Sequence, residues 1–247
     1  MMKIGIMGFG SIGSYLAANL KDEVVWVVDR VDAARKRAEK MGFAAHTAIP
    51  ARCGGAELVV EAAGQAAVPM LEGCLPFCDV MVMSVGALAD SALLERMAAA
   101  AKKSGRKIYI PSGAIGGTDA IAAVGKQAKS VLLETIKPPP SLGRSDMSRT
   151  VIFEGNAADA CRLYPKNVNV SATLSLAGIG FEKTKVRIVS DPSVSKNTHR
   201  ITVDSPAGRM SLEFENLPSN ENPKTSALAA MAALSRIRKI KETLQIG

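Results

Sequence analysis

Three closely spaced glycines near the N-terminus form a turn suited to phosphate groups. Gly8, Gly10 and Gly13 follow an apolar run typical of a buried strand and lead into an apolar-periodic segment typical of a helix. The first glycine permits a tight turn, the second lets the backbone approach a pyrophosphate, and the third lets helix and strand pack closely. The helix N-terminus adds N–H groups and partial positive charge. The turn predicts a dinucleotide site with contacts at Gly8, Gly10, Ser11, Ile12 and Gly13.

An acidic residue ends the next strand-like run, about 20 residues after the glycines, where dinucleotide-binding domains place the ribose acceptor. Asp29 could accept hydrogen bonds from ribose hydroxyls and repel a 2′-phosphate, which favours NAD. The neighbouring Arg30 could stack on adenine or pair with a 2′-phosphate, so the predicted cofactor is NAD or NADP. The alternative interpretation of Asp29 is a solvated turn carboxylate.

Small-residue turns also follow later strand-like runs, at 62–64 and 84–87. In an open α/β sheet, ligands bind outside the carboxyl ends of the strands, so these turns should line the same cleft. We therefore predict further cofactor contacts at Ala63 and Gly64, although purely structural turns have similar sequences.

The chain contains two histidines, His46 and His199, and either could serve as a general base near pH 7. His199 is the better candidate, because His46 falls toward the edge of the first sheet. Period-two alternation places His199 on the same strand face as Ile201 and Val203. A core histidine with a structural role is thus the alternative.

Two kinds of element must position these residues. Short apolar runs alternate with helices up to residue 111, which predicts an α/β fold with a Rossmann doubly wound parallel sheet. The pattern then changes to strands with runs of helix, which predicts a second, smaller α+β substrate domain. We predict a dinucleotide-binding domain at 1–111, completed by a C-terminal helix at 218–247, and a substrate, catalytic and dimerisation domain at 112–217.

Six further motifs, at 112–120, 135–139, 167–170, 191–192, 197–199 and 221–226, resemble those of one family, the L-aspartate dehydrogenases of NAD biosynthesis. The resemblance covers nearly the whole chain. It implies oxidation of L-aspartate to iminosuccinate with NAD or NADP, followed by quinolinate synthesis or by hydrolysis to oxaloacetate and ammonia. The family's catalytic histidine falls on His199, and its nicotinamide contacts fall on Ala114 and Asn169. A homodimer is also implied.

A substrate with two carboxylates needs cationic or N–H partners, because burial of an unpaired anion is costly. Lys137, Asn197 and Lys224 are the candidate substrate-binding residues, although each lysine alone could be a solvated surface charge. The alternative functions are a homoserine dehydrogenase-like or dihydrodipicolinate reductase-like enzyme, and a non-catalytic dinucleotide sensor.

The net charge of +8 does not indicate nucleic-acid binding, because the basic residues are scattered without aromatic partners. The four cysteines lack the spacing of a zinc site and are predicted to be buried free thiols, so no metal is expected. Neither a cleavable leader nor a membrane-spanning run is recognisable, so we expect no membrane association and a reducing cytoplasmic location.

Overall fold

The computed structural model describes residues 1–165, 168–218 and 226–244. The chain divides into two compact units. The first comprises Met1–Pro111 and Ala230–Ile246, and the second comprises Ser112–Ala229.

The first unit is built around a six-stranded parallel sheet of strand order β3-β2-β1-β4-β5-β6. Each of the four residues of β1 is buried, as expected for a central parallel strand covered on both faces. The predicted Rossmann sheet is confirmed. Its elements are β1 (Ile4–Met7), α1 (Ser11–Asn19), β2 (Val24–Val28), α2 (Asp32–Lys40), β3 (Ala45–His46), β4 (Leu58–Glu61), β5 (Asp79–Val82), α3 (Ser91–Ser104) and β6 (Ile108–Tyr109).

Local sequence defines the ends of α3 well, but it does not indicate the conformation of the segment at 65–73. In α3, the Asp90 carboxylate accepts hydrogen bonds from the first-turn amides, and Gly105 ends the helix in the left-handed conformation. The alternation of short apolar runs and helices also predicts a helix near 66–75, and this prediction is wrong, because Gln65–Gly73 forms 3-10 turns. Pro69 lies inside this segment and lacks the N–H that an α-helix would use there.

The last helix, α7 (Ala227–Lys241), contributes mostly to the first unit. Its apolar residues Ala233, Leu234 and Ile237 are buried in the core of that unit. The helix does not start at the predicted residue 218, because Pro218 forms an isolated antiparallel bridge with Ser226.

The second unit contains a mixed five-stranded sheet of order β11-β10-β7-β9-β8, in which only β7 and β9 are parallel. Helices α5 and α6 pack on this sheet at β8 and β9, and α4 packs on α6. This agrees with the predicted α+β layer. Its elements are α4 (Thr118–Val124), β7 (Ser130–Lys137), β8 (Thr150–Asn156), α5 (Ala157–Leu163), α6 (Asn169–Ala177), β9 (Thr184–Ser190), β10 (Asn197–Ser205) and β11 (Gly208–Asn216).

The two faces of the second sheet have opposite character. Residues such as Leu133, Val186 and Ile201 are buried on the inner face. The outer face carries an alternating row of charges across all five strands, joined by ion pairs along most of its length. This row consists of Glu213, Arg200, Glu134, Arg187 and Glu154.

Candidate functional site

The glycine turn between β1 and α1 has room for a ligand at one position only. Gly8 has a φ of +99°, and a Cβ there would lie 2.6 Å from the backbone of Ala62. A Cβ on Gly13 would lie 1.9 Å from the carbonyl oxygen of Gly8. At Gly10, a Cβ would meet no atom within 4 Å. The glycines at 8 and 13 therefore serve internal packing, whereas Gly10 leaves the open approach that a pyrophosphate requires.

Asp29 closes this turn from the end of β2. Its Oδ2 accepts a hydrogen bond from the Phe9 amide at 2.7 Å, and its Oδ1 accepts one from the Val31 amide at 2.8 Å. The carboxylate is thus held in place beside the turn, with lone pairs left for ribose hydroxyls. The predicted neighbour Arg30 is exposed, and Ser11 and Ile12 begin α1.

Glu61, at the carboxyl end of β4, is a buried acid that sequence reasoning missed. It is 0% exposed and accepts bonds from the amides of Ala63 and Gly64, both at 2.8 Å. It also accepts bonds from the amide and the hydroxyl of Ser84, both at 2.9 Å. Glu61 therefore ties the predicted 62–64 turn to the turn after β5. An acid that ends an apolar strand just before a small-residue turn was the available signal.

The inner face of the second sheet becomes polar at one end. Thr135 on β7 lies directly opposite His199 on β10, and the Thr135 hydroxyl lies 3.0 Å from His199 Nδ1. Lys137 follows on the same face of β7, where it lies opposite Ser190 of β9 in the strand register. All four side chains are buried, although the rest of this face is largely apolar. The fold thus groups a base, a cation and a hydroxyl out of contact with bulk water.

Burial sets the protonation states of this cluster. Burial and, to a smaller extent, the positive charge of Lys137 lower the pKa of His199 to about 3. Burial alone lowers the pKa of the Lys137 ammonium to about 8. At pH 7 the imidazole is therefore neutral and the lysine is mostly charged.

Other predicted contacts of the second unit occupy element termini. The Ala114 carbonyl accepts a 2.9 Å hydrogen bond from Asn216 Nδ2, so the end of β11 holds the turn at 112–117. Asn169 is the first residue of α6, and Asn197 is the first residue of β10. Sequence reasoning missed Asn216, since only the fold brings it to Ala114. Lys224 lies outside the described residues.

The four cysteines are buried free thiols, as predicted. Within the described ranges, no group of three or more His, Cys, Asp or Glu side chains could hold a metal ion. No helix in the described part of the chain is both long and apolar enough to cross a membrane.

Family models match both parts of the chain. Residues 8–111 match the NAD-binding domain of homoserine dehydrogenase, and residues 119–240 match the C-terminal domain of aspartate dehydrogenase. The first match agrees with the open space beside Gly10 and confirms the predicted cofactor class, NAD or NADP.

Full-length comparisons agree with these matches. The chain is 41% identical to the L-aspartate dehydrogenase of Methanosarcina mazei, and the alignment covers all of both sequences. It superposes on the crystal structure of aspartate dehydrogenase from Thermotoga maritima with a TM-score of 0.86 and 32% identity, over 100% of both chains. A hyperthermophilic archaeal homoserine dehydrogenase gives a TM-score of 0.60 at 13% identity, over 99% of each chain, which indicates a common fold alone. The chain therefore belongs to the L-aspartate dehydrogenase family, whose members are oxidoreductases.

Proposed function

We propose that this enzyme oxidises L-aspartate to iminosuccinate with NAD or NADP, and that His199 is the catalytic base. The proposal rests on the relatives' activity and on one observation in the second unit, the buried cluster of Thr135, Lys137 and His199. Iminosuccinate then enters quinolinate synthesis or hydrolyses to oxaloacetate and ammonia.

The reaction needs a proton acceptor. Aspartate's α-nitrogen is an ammonium at neutral pH, and it must lose a proton before its lone pair can form the carbon–nitrogen double bond as the α-hydrogen leaves as hydride. A neutral imidazole can take that proton, and burial keeps His199 neutral at pH 7. The same burial makes the free imidazole a weak base.

Substrate binding relieves part of this weakness. The two carboxylates of aspartate bring negative charge next to the buried Lys137 ammonium, whose positive charge otherwise opposes protonation of His199. Neutralising that charge removes the smaller of the two causes that lower the pKa of His199, and the nearby carboxylates favour the imidazolium, so the imidazole becomes a stronger base. We therefore assign one substrate carboxylate to Lys137, with Asn197 and Lys224 as further candidates.

The first unit is assigned to the cofactor. The turn residues Gly8, Gly10, Ser11, Ile12 and Gly13 would hold the pyrophosphate. Asp29 and Arg30 would meet the adenosine ribose, and Ala63 and Gly64 would line the cleft. In the second unit, Ala114 and Asn169 would contact the nicotinamide ring. A bound nicotinamide supplies the hydride acceptor.

The proposed function also includes an oligomeric state and a cellular location. We propose that the second unit serves both catalysis and dimerisation, and that two chains form the enzyme. The buried free thiols favour a reducing compartment, for which we propose the cytoplasm. Sedimentation at micromolar concentration tests the dimer, and a fully active monomer would contradict it.

Substrate screening tests the function. L-aspartate, L-homoserine and L-malate are each offered with NAD and with NADP, and reduction of the cofactor is followed by absorbance. L-aspartate should be oxidised far faster than the other two. A preference for homoserine would support the homoserine dehydrogenase alternative. Cofactor binding without turnover of any amine or hydroxy acid would support a sensor.

A further inference from the structure

Thr135 and His199 are joined by the sheet itself. Their strands, β7 and β10, pair in antiparallel register, and the two residues face each other directly. The same row continues to Phe214 on one side and to Ile188 on the other, both apolar. Among the described residues, the Thr135 hydroxyl is the hydrogen-bond partner of the His199 ring, at 3.0 Å from Nδ1. Threonine is branched at Cβ, so its hydroxyl has few available orientations.

A neutral imidazole carries its proton on one of its two nitrogens, and the two forms differ in function. If the Thr135 hydroxyl donates to Nδ1, the proton lies on Nε2, and no lone pair remains to accept another. If Nδ1–H donates to the hydroxyl oxygen, Nε2 carries the lone pair. In the second arrangement, Nε2 can accept a proton while the hydrogen bond to Thr135 is kept, because the imidazolium donates from both nitrogens. In the first arrangement, a further proton can be added only at Nδ1, which breaks the bond.

We propose that Thr135 is a positioning residue that accepts the Nδ1–H of His199 and thereby fixes the tautomer in which Nε2 is the proton acceptor. The inference deepens the proposed function and rests on it. The proton of the substrate ammonium passes to Nε2, Nδ1 keeps its own proton throughout, and the ring becomes an imidazolium. Among residues 1–165, 168–218 and 226–244, the charged group that acts on this ring is Lys137, on the same face of β7.

Nitrogen-15 NMR of the full chain tests the tautomer without reference to activity. The chain has only two histidines, so a His46→Gln variant assigns the His199 signals. At pH 7, the wild type should show a protonated Nδ1 and an unprotonated Nε2. A protonated Nε2 in the wild-type protein would overturn the proposal, whatever the variants do.

Three variants separate positioning from packing. Thr135→Val keeps the shape and removes the hydroxyl, so the tautomer with Nδ1–H should no longer be preferred. Turnover should fall by roughly 10-fold to 100-fold, the scale known for loss of a hydrogen-bond partner that orients a metal-binding histidine. The Michaelis constant for the cofactor should not change. Thr135→Ser restores the hydroxyl and should recover most of both signals. Thr198→Val removes another buried hydroxyl, from the opposite face of β10, and should change neither.

The outcomes distinguish this proposal from the proposed function. An unchanged tautomer and unchanged turnover in Thr135→Val would overturn the positioning role. If Thr135→Val shifts the tautomer as expected but His199→Ala retains turnover, the hydrogen bond is real and the catalytic assignment of His199 is what fails. Equal losses in Thr135→Val and Thr198→Val would mean that general destabilisation causes the effect, which also overturns the proposal.

Discussion

The glycine turn of the first unit and the polar cluster of the second are built from different parts of the chain. In the proposed cofactor site, the turn would offer backbone amides to the phosphates, and the side chains of Asp29 and Glu61 hold other backbone amides in place. In the cluster, the groups are an imidazole, an ammonium and a hydroxyl. The first arrangement suits binding of phosphates, and the second suits proton transfer. Substitutions in the turn should therefore change cofactor affinity, and those in the cluster should change turnover or substrate affinity.

The largest effect is expected at His199. His199→Ala should lower turnover by about 10²–10⁴-fold, the usual scale for a positioned general base, with nearly unchanged NAD affinity. Turnover, NAD affinity and melting temperature are measured on one sample. The matched control is His46→Ala, since His46 is exposed and lies at the edge of the first sheet. Normal turnover in a destabilised His199→Ala protein would show a core histidine instead.

The next effect concerns the buried charge of Lys137. Lys137→Met should weaken inhibition by succinate, a dicarboxylate without an amine, by roughly 30-fold or more, because loss of one partner of a buried charge pair costs about 2–5 kcal/mol. In the wild type, succinate affinity should fall as pH rises through about 8, because the ammonium that binds it is lost there. In Lys137→Met, this pH dependence should disappear.

The same variant should also change stability. The pKa of Lys137 is lower in the folded protein than in the unfolded chain. At pH 7, burial of the charged ammonium therefore lowers the free energy of unfolding. Lys137→Met should therefore raise the melting temperature at pH 7, with less gain at pH 10. The control Lys129→Met, at an exposed lysine, should leave succinate inhibition unaltered. Unchanged inhibition in Lys137→Met would remove Lys137 from the substrate site.

A smaller effect is expected at Gly10, where a single methyl group separates binding from folding. Gly10→Ala should not disturb the protein, since a Cβ there meets no atom within 4 Å. A close pyrophosphate would be overpacked, at a cost of about 1–3 kcal/mol, which is roughly a 5-fold to 150-fold loss of NADH affinity. Gly73→Ala is the control, because its Cβ also meets open space and it has no proposed ligand. Unchanged NADH affinity in Gly10→Ala would contradict the proposed close approach of the pyrophosphate to Gly10.

The smallest effect is one of discrimination. Asp29→Ala should weaken NAD more than NADP, because the carboxylate both accepts ribose hydrogen bonds and repels a 2′-phosphate. Asp29→Asn retains an acceptor for the Phe9 amide and so separates loss of turn geometry from loss of charge. Titration of both cofactors measures the ratio. Equal losses for NAD and NADP in Asp29→Ala would show that Asp29 has no discriminating role.

The two sites also differ in how far the sequence alone could predict them. The glycine turn could be predicted because its residues are close together in the sequence and its flanking strand and helix follow from local periodicity. The 3-10 segment at Gln65–Gly73 was predicted as an α-helix from its place in the alternation of apolar runs and helices, and that prediction did not consider Pro69.

The polar cluster of the second unit could be predicted only in part. His199 was identified because the chain has only two histidines and because the resemblance to the L-aspartate dehydrogenases places the catalytic histidine there, whereas alternation along β10 predicted only that it shares a face with apolar residues. Thr135 and Asn216 were missed, because their roles depend on strand register and on contacts between segments far apart in the sequence. No local pattern specifies such contacts. Lys137 was predicted from charge alone, and its burial became evident only in the sheet.

The central claim, amine chemistry at a nicotinamide-dependent site, is tested most directly in the reductive direction. Consumption of NADH and NADPH is followed with oxaloacetate plus ammonium, and beside it with oxaloacetate alone. We predict rapid consumption that requires ammonium, forms aspartate and is lost in His199→Ala. Equal consumption without ammonium would indicate reduction of the keto acid to a hydroxy acid and would contradict the proposed function.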